Sequence, residues 1–228
     1  TYTYREMWAE YAKATQSANL LLGETASWWG RYYYSVRYAM TSTIRDEIFS
    51  SNVTGGNWAF RNHTYTAGTN NYMLPKINEY FVRNSVNANI GVGYIMVPLF
   101  TVEEVLFNKA EANNALNNTG EAIADMNSYA STRITGYSSA THRITETKIK
   151  NYYGTSDLQD GILQTILDFK RAEFAQEGMR WFDILRHKIV VTHRTSEGDE
   201  IELGENDLRR VLQIPESAKL SEVDQNPR

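Results

Sequence analysis

The sequence predicts a mainly α-helical protein with a tetratricopeptide-like helix hairpin, long loops and a small β-hairpin. Three observations predict it. Residues 101–134 read as two helices joined by a tight asparagine turn, about the length of one tetratricopeptide unit. Residues 162–187, ILQTILDFKRAEFAQEGMRWFDILRH, read as a helix, a glycine break and a second short helix. Between 50 and 75, glycine and asparagine interrupt every apolar piece. The 228 residues are enough for one domain with a real core, since a globule of this size buries about 70% of its unfolded surface.

In chain order, Tyr4, Trp8, Tyr11, Thr15, Ala18 and Leu22 recur in steps of three and four, which predicts a helix over 4–22 with Gly23 as its stop. A second helix is predicted over 27–41, where Trp28, Trp29, Tyr32, Tyr33, Tyr34 and Tyr38 place rings on several faces that must be covered on more than one side. Over 50–75, Gly55, Gly56, Asn57, Asn62, Gly68, Asn70 and Asn71 separate Trp58, Phe60, Tyr65 and Tyr72. Long ordered loops of this kind disproportionately carry function. Residues 92–98 are apolar and extended, with Pro98 closing them.

Thr101 and Glu104 have the spacing of a capping box, and Phe100 with Val105 that of a hydrophobic staple. The helix they open runs to Leu116. Asn117 and Asn118 turn the chain, and Asn118 with Glu121 repeats the capping spacing before a helix bearing Ile123, Met126, Ala130 and Ile134 on one face. Such a pair needs neighbours, so it belongs to a larger helical body rather than to a repeat array. Residues 136–161 read as linker with short helical turns, and Ser156 with Gln159 as the cap of the central helix. In that helix Ile162, Ile166, Phe169 and Phe174 share a face, Glu177 ends the run, and Gly178 stands where a left-handed cap wants glycine. Ile189–Thr192 and Glu200–Leu203 read as two strands around a turn, followed by a short helix over 205–212.

The central run is dense in charge: Glu173, Glu177, Arg180, Asp183 and Arg186 interleave with Phe174, Trp181 and Phe182. Partly buried ion pairs fixing the bend fit this pattern, and so does a solvated polar face. Two carboxylate pairs come into question for a glycosidase, Glu173 with Glu177 and Glu103 with Glu104; the adjacent pair diverges on a helix with Glu104 already a cap, and Glu173 and Glu177 share a face but the cations around them favour structural pairing.

Several chemistries are excluded. The formal charge of −4 and the absence of a basic run give no footprint for nucleic acid. Without cysteine there is no disulfide framework and no thiolate metal site. His63, His142, His187 and His193 lack metal-ligand spacing, and no nucleophile elbow, phosphate loop or dinucleotide fingerprint is present. No catalytic residue, metal or cofactor is therefore expected. No stretch approaches eighteen apolar residues.

What remains is an excess of tyrosine, tryptophan and asparagine. Rings stack on the C–H faces of sugars while amides and carboxylates bond the hydroxyls, often through water. Trp28, Trp29, Tyr32, Trp58, Asn62, Tyr65 and Tyr72 are the candidate ligand-binding residues, Trp58 and Tyr65 being favoured for exposure by the turn residues around them. A tyrosine-rich core with polar loops would have the same composition.

Three segments together resemble the C-terminal part of the SusD/RagB family, glycan-binding outer-membrane lipoproteins of Bacteroidetes. Val97-Pro98-Leu99-Phe100 followed by the helix pair, with Ala110-Glu111-Ala112 and Asn127, is the first. The second is 169–187, in which Arg171, Glu173, Phe174, Glu177, Gly178, Arg180, Trp181, Phe182, Asp183 and Arg186 match as a structural signature, while Phe169-Lys170 departs from the family's usual Glu-Arg. The third is the ending, Leu212-Gln213-Ile214-Pro215 and then Gln225-Asn226-Pro227. The first 95 residues are compatible but less diagnostic.

The resemblance implies a SusD-like fold over 1–228, with 101–134 as the helix pair and 156–228 as the C-terminal signature region. It implies a chain lacking the family's N-terminal half, signal peptide and lipidated cysteine. It also implies the function: non-catalytic capture of oligosaccharide or polysaccharide on the extracellular face of the outer membrane, as partner of a SusC-like TonB-dependent transporter. Membrane association would be through a lipid anchor only. The alternative is a transporter-associated scaffold for a non-sugar nutrient such as peptide.

Overall fold

The structure, a computed structural model, describes residues 4–26, 39–60, 65–66, 71–74, 76–77, 79–195 and 197–227. The fold is mainly α-helical with small antiparallel sheets. The chain divides into two compact units, Thr1–Gln176 and Glu177–Arg228.

In the first unit, α1 (Tyr4–Glu10) is followed by β1 (Asn19–Ala26), α2 (Ser42–Phe49) and the two-residue strands β2 (Tyr65–Thr66) and β3 (Tyr72–Met73). Then come β4 (Glu79–Arg83), β5 (Gly91–Thr101), α3 (Val102–Ala115), α4 (Thr119–Arg133), α5 (Ser139–His142), α6 (Glu146–Tyr153) and α7 (Leu158–Glu173). The helix expected over 4–22 is therefore a single short helix and a strand. The cause is β5, eleven residues of extended chain whose backbone groups need partners on both sides. β1 pairs antiparallel with it from Asn19 opposite Thr101 to Ala26 opposite Tyr94, and β4 takes the other edge. Pro98 lies inside β5 and does not end it. Gly23, expected to stop a helix, sits opposite Val97, where a Cβ would come 2.9 Å from Leu99 Cδ1. Ile95 of β5 is buried against Ile77. Of the helix expected over 27–41, residues 27–38 lie outside the described residues; Met40 bridges to Tyr72, and Thr41 caps α2 by accepting from the Ile44 amide at 3.3 Å.

The helix hairpin forms as the spacing predicts. Thr101 Oγ1 accepts from the Glu104 amide at 3.3 Å and opens α3. Asn117, at φ 62°, turns the chain into α4, but Asn118 makes no side-chain cap there. Met126, Ala130 and Ile134 are buried as expected, while α3 presents Phe107, Ala110 and Asn114 inward and leaves Leu116 exposed. Asn127 explains one residue of the signature: its amide donates to the Ile123 and Ile144 carbonyls, and its oxygen accepts from the Ile144 amide at 2.7 Å. One side chain thus ties α4 to the segment that leads into α6. That segment is more ordered than a linker, since α6 has Thr145 as its N-cap and Gly154 at φ 65° as its left-handed C-cap.

The cap of α7 is Asp157 rather than Ser156. Asp157 Oδ1 accepts from the Gln159 amide at 2.9 Å and the Asp160 amide at 3.3 Å. Asp157→Ala should destabilise the protein by about 1 kcal/mol, whereas Ser156→Ala should leave the urea midpoint of wild type. α7 then buries Ile162, Thr165, Ile166, Phe169 and Ala172 along one face. It ends at Glu173, four residues earlier than the periodicity suggests, and the chain turns through Gln176 at φ 68°.

In the second unit, Gly178 at φ 81° precedes α8 (Arg180–Arg186), and β6 (Val191–Arg194) pairs antiparallel with β7 (Glu200–Leu203). The helix expected over 205–212 is reduced to a 3₁₀ turn at Leu208–Arg210. Arg210, buried, explains why the turn stays there. Its guanidinium donates to the carbonyls of Gly204 at 2.7 Å, Ile184 at 2.8 Å and Ile189 at 2.6 Å. The closing motif zips on itself, with Gln225 donating to the Ile214 carbonyl and Asn226 to that of Leu212.

Candidate functional site

The structure separates the candidate aromatic residues instead of gathering them. Trp58 is 1% exposed, its ring centroid 5.1 Å from that of Phe169 and 6.1 Å from that of Tyr129, both nearly edge-on. The expectation that Trp58 is exposed is therefore corrected. The turn residues around it do not push the loop outward; they let it run inward. Asn52 accepts from the Thr54 amide and donates to the Gly56 carbonyl, so the loop satisfies its own polar groups and can be buried. Its far end is held by α4, with Thr135 donating to the Asn57 carbonyl at 2.9 Å. Tyr72 is half-buried, with the Arg45 guanidinium 4.0 Å from its ring centroid. Tyr65 forms β2, and its side chain is not described; Trp28, Trp29, Tyr32 and Asn62 lie outside the described residues.

The first unit contains a cavity of about 520 Å³ whose described lining includes neither Trp58 nor Tyr72. Among the described residues its walls come from α1 and the chain after it (Met7, Glu10, Tyr11, Gln16, Asn19), the inward loop (Ala59, Phe60), the β5–α3 junction (Thr101, Glu103), the end of α4 and the residues just after it (Thr132, Arg133, Ile134, Thr135, Gly136) and the end of α7 (Glu173). Each is placed by a local cause. Asn19 donates to the carbonyls of Tyr11 at 2.9 Å and Lys13 at 3.1 Å, which folds the chain after α1 into a rim. Gln16 donates to Glu10 at 2.7 Å, and Lys13 pairs with the other oxygen of the same carboxylate at 2.9 Å. The size is that of a small-ligand pocket.

A charged network forms the cavity's inner side. Arg133 Nε donates to Glu173 Oε2 at 2.8 Å, Nη2 to Glu103 Oε1 at 2.6 Å and Glu173 Oε1 at 3.3 Å, and Nη1 to Thr132 Oγ1 at 3.0 Å. All three guanidinium nitrogens are thereby engaged. The Tyr129 hydroxyl donates to Glu173 Oε2 at 2.7 Å. Lys76, fully buried, donates to the Glu173 carbonyl and lies over the rings of Tyr11 and Phe60, 5.0 and 5.5 Å from their centroids. For Glu173, 2% exposed, burial is the largest influence and raises the carboxyl, but Arg133, Lys76 and the Tyr129 hydroxyl outweigh it and hold the pKa below the ordinary value. Burial also pushes the Tyr129 phenol well up, and Glu173 adds to this, so Tyr129 stays a donor.

This arrangement is built to stay put. A general acid needs a raised carboxyl, and Glu173 has a depressed one. Glu173 faces Arg133 on α4, forty residues back in the chain, which accounts for one charge of the signature run as structural. Arg171 pairs with Glu47 at 2.6 Å, and in the second unit Arg180 pairs with buried Asp183 at 4.0 Å. Phe174 is buried, Glu177, Arg180 and Trp181 are half-buried, and Phe182 and Arg186 are exposed. Among the described residues no group of three His, Cys, Asp or Glu side chains is arranged to hold a metal ion.

Tyr11, Gln16 and Arg133 were not candidates from sequence, and Glu103 came into view only as half of a carboxylate pair with Glu104. Arg133 sits at the last position of a helix with its partners thirty and forty residues away, and no local spacing reports such a contact. Among the described residues the cavity offers two rings, Tyr11 and Phe60, beside the amides of Gln16 and Asn19, three threonines, Arg133 and the carboxylates of Glu10, Glu103 and Glu173.

The sequence profile of the SusD family matches residues 9–221 of the chain. Two solved structures are similar in fold. One is a proposed sugar-binding protein from Bacteroides vulgatus ATCC 8482, 16% identical with a TM-score of 0.62, the match covering 99% of this chain and 50% of that one. The other is a SusD superfamily protein from Bacteroides thetaiotaomicron VPI-5482, 18% identical with a TM-score of 0.54, covering 100% of this chain and 52% of that one. The chain thus spans about half the length of these structures. No curated protein matches it.

Proposed function

Because the chain belongs to the SusD family, we propose that it takes part in non-catalytic capture of oligosaccharide at the cell surface. The family match over residues 9–221 carries this reading. The cavity supports it, with rings, amides and carboxylates held by their own partners. The protein would work on the extracellular face of the outer membrane beside a SusC-like TonB-dependent transporter, held there by a lipid anchor. No helix among the described residues is long and apolar enough to cross a membrane.

Isothermal titration of the purified protein against a broad panel of glycans tests the proposal. The expected result is saturable heat with at least one oligosaccharide, which is recovered unhydrolysed. Silence across the panel from a folded protein counts against it. Co-purification with the transporter together with that silence would favour a scaffold for a non-sugar nutrient.

A further inference from the structure

We infer that the β4–β5 ladder carries a second glycan contact, at which a sugar ring stacks on Phe81 and its hydroxyls bond Glu79; this rests on the glycan-capture reading. Neither residue belongs to the described lining of the cavity. Phe81 is 51% exposed, and the strand register shows what lies beneath it. Phe81 stands opposite Gly93 and Glu79 opposite Ile95, with Gly91 next along the same face. Ile95 is buried against Ile77 and marks the core side of that face. Beyond it the two glycines leave β5 without side chains. Phe81 and Glu79 lean into this bare strip. A Cβ at Gly91 would run into the Val82 carbonyl and come 2.9 Å from Phe81 Cε1. One at Gly93 would come 2.9 Å from Glu79 Cδ and 3.0 Å from Oε2. The ring and the carboxylate therefore sit side by side against glycine backbone, which accounts for the Gly91-Val92-Gly93 sequence.

The chemistry of this pair suits a pyranose. Side chains two apart on a strand are about 7 Å from each other, a spacing that one sugar unit with its hydroxyls bridges. The exposed side of the Phe81 ring takes the C–H face of the sugar. Glu79 is held by an interaction of its own, and a carboxylate has about four lone-pair sites, so it accepts from hydroxyls as well. Bonds from hydroxyls to an ionised carboxylate are among the stronger kinds. An apolar protein surface would match Phe81 but would desolvate Glu79 beside it, which is costly.

The test is NMR titration of protein carrying isotope-labelled phenylalanine rings with malto-, cello- and xylo-hexasaccharides, alongside calorimetry with the same ligands. The Phe81 signals are assigned by their loss in Phe81→Leu. The expected result is that they shift saturably with at least one hexasaccharide. Glu79→Ala, checked for an unchanged melting profile, should weaken the affinity that they report by about tenfold. Phe60 lines the cavity and reports on it separately. Titration heat, or movement of the Phe60 signals, without movement at Phe81 overturns the inference. So does an affinity at Phe81 that Glu79→Ala leaves unchanged. In both of those cases glycan capture itself stands, whereas silence in NMR and calorimetry with every hexasaccharide overturns the capture reading and the inference together.

Discussion

Replacing Glu173 by alanine is expected to destabilise the protein by about 3–5 kcal/mol, the usual cost of removing one partner of a buried ion pair. Glu173 is 2% exposed and is bonded by Arg133 through two nitrogens and by the Tyr129 hydroxyl. Without it, Arg133 keeps Glu103 at 2.6 Å, while the buried Tyr129 hydroxyl loses its acceptor. The retained Glu103 pair places the expected loss toward the lower end of the range. Urea denaturation measures it, and a wild-type midpoint would show that Glu173 is not structural. The pH dependence has a fixed sign. The folded carboxyl titrates below its unfolded value because Arg133, Lys76 and Tyr129 overcome the burial that raises it. Its stabilisation is therefore complete above the unfolded carboxylate range and is lost as the pH falls through the depressed folded value. Glu173→Ala should remove this part of the acid destabilisation, so the difference from wild type narrows toward low pH.

Trp58→Ala is expected to cost about 3–5 kcal/mol as well, for a different reason. The ring is fully enclosed, edge-on to Phe169 and Tyr129, in a cluster where Phe107 also lies 4.8 Å from Tyr129 between centroids. Truncation leaves a cavity that α7, held by its Asp157 cap, and α4, tied to it by the Arg133–Glu173 pair, cannot close. Trp58→Phe should recover much of the loss. If Trp58→Ala instead melted like wild type and lost glycan affinity, Trp58 would be a ligand ring after all.

The contrast between these two residues shows what a sequence can report. The helix hairpin and the central helix were legible because each rests on neighbours three or four residues apart, as with Thr101 capping at Glu104 or the buried Ile162 and Ile166, and the C-terminal strands because a short turn joins them, Arg194 lying opposite Glu200. The helix expected over 4–22 had the same periodicity and was overruled by a partner eighty residues away, β5, which offers a ladder to Asn19–Ala26. Trp58 looked exposed because glycine and asparagine surround it, and these residues instead close a turn that carries the ring inward. Of the charges in the signature run, Glu173 was in view from sequence as part of a helical face, but its partner was not. Glu173 answers to Arg133, and neither position predicts the other. The cavity was illegible for the same reason, being assembled from five segments that the chain brings together only by folding.

The most direct measurement is a crystal structure of the protein with the oligosaccharide that binds best. A sugar ring in the cavity against Tyr11, with the Arg133–Glu173 pair intact beneath it, is the predicted result. A cavity without sugar, or a sugar that displaces Glu173 from Arg133, would contradict it.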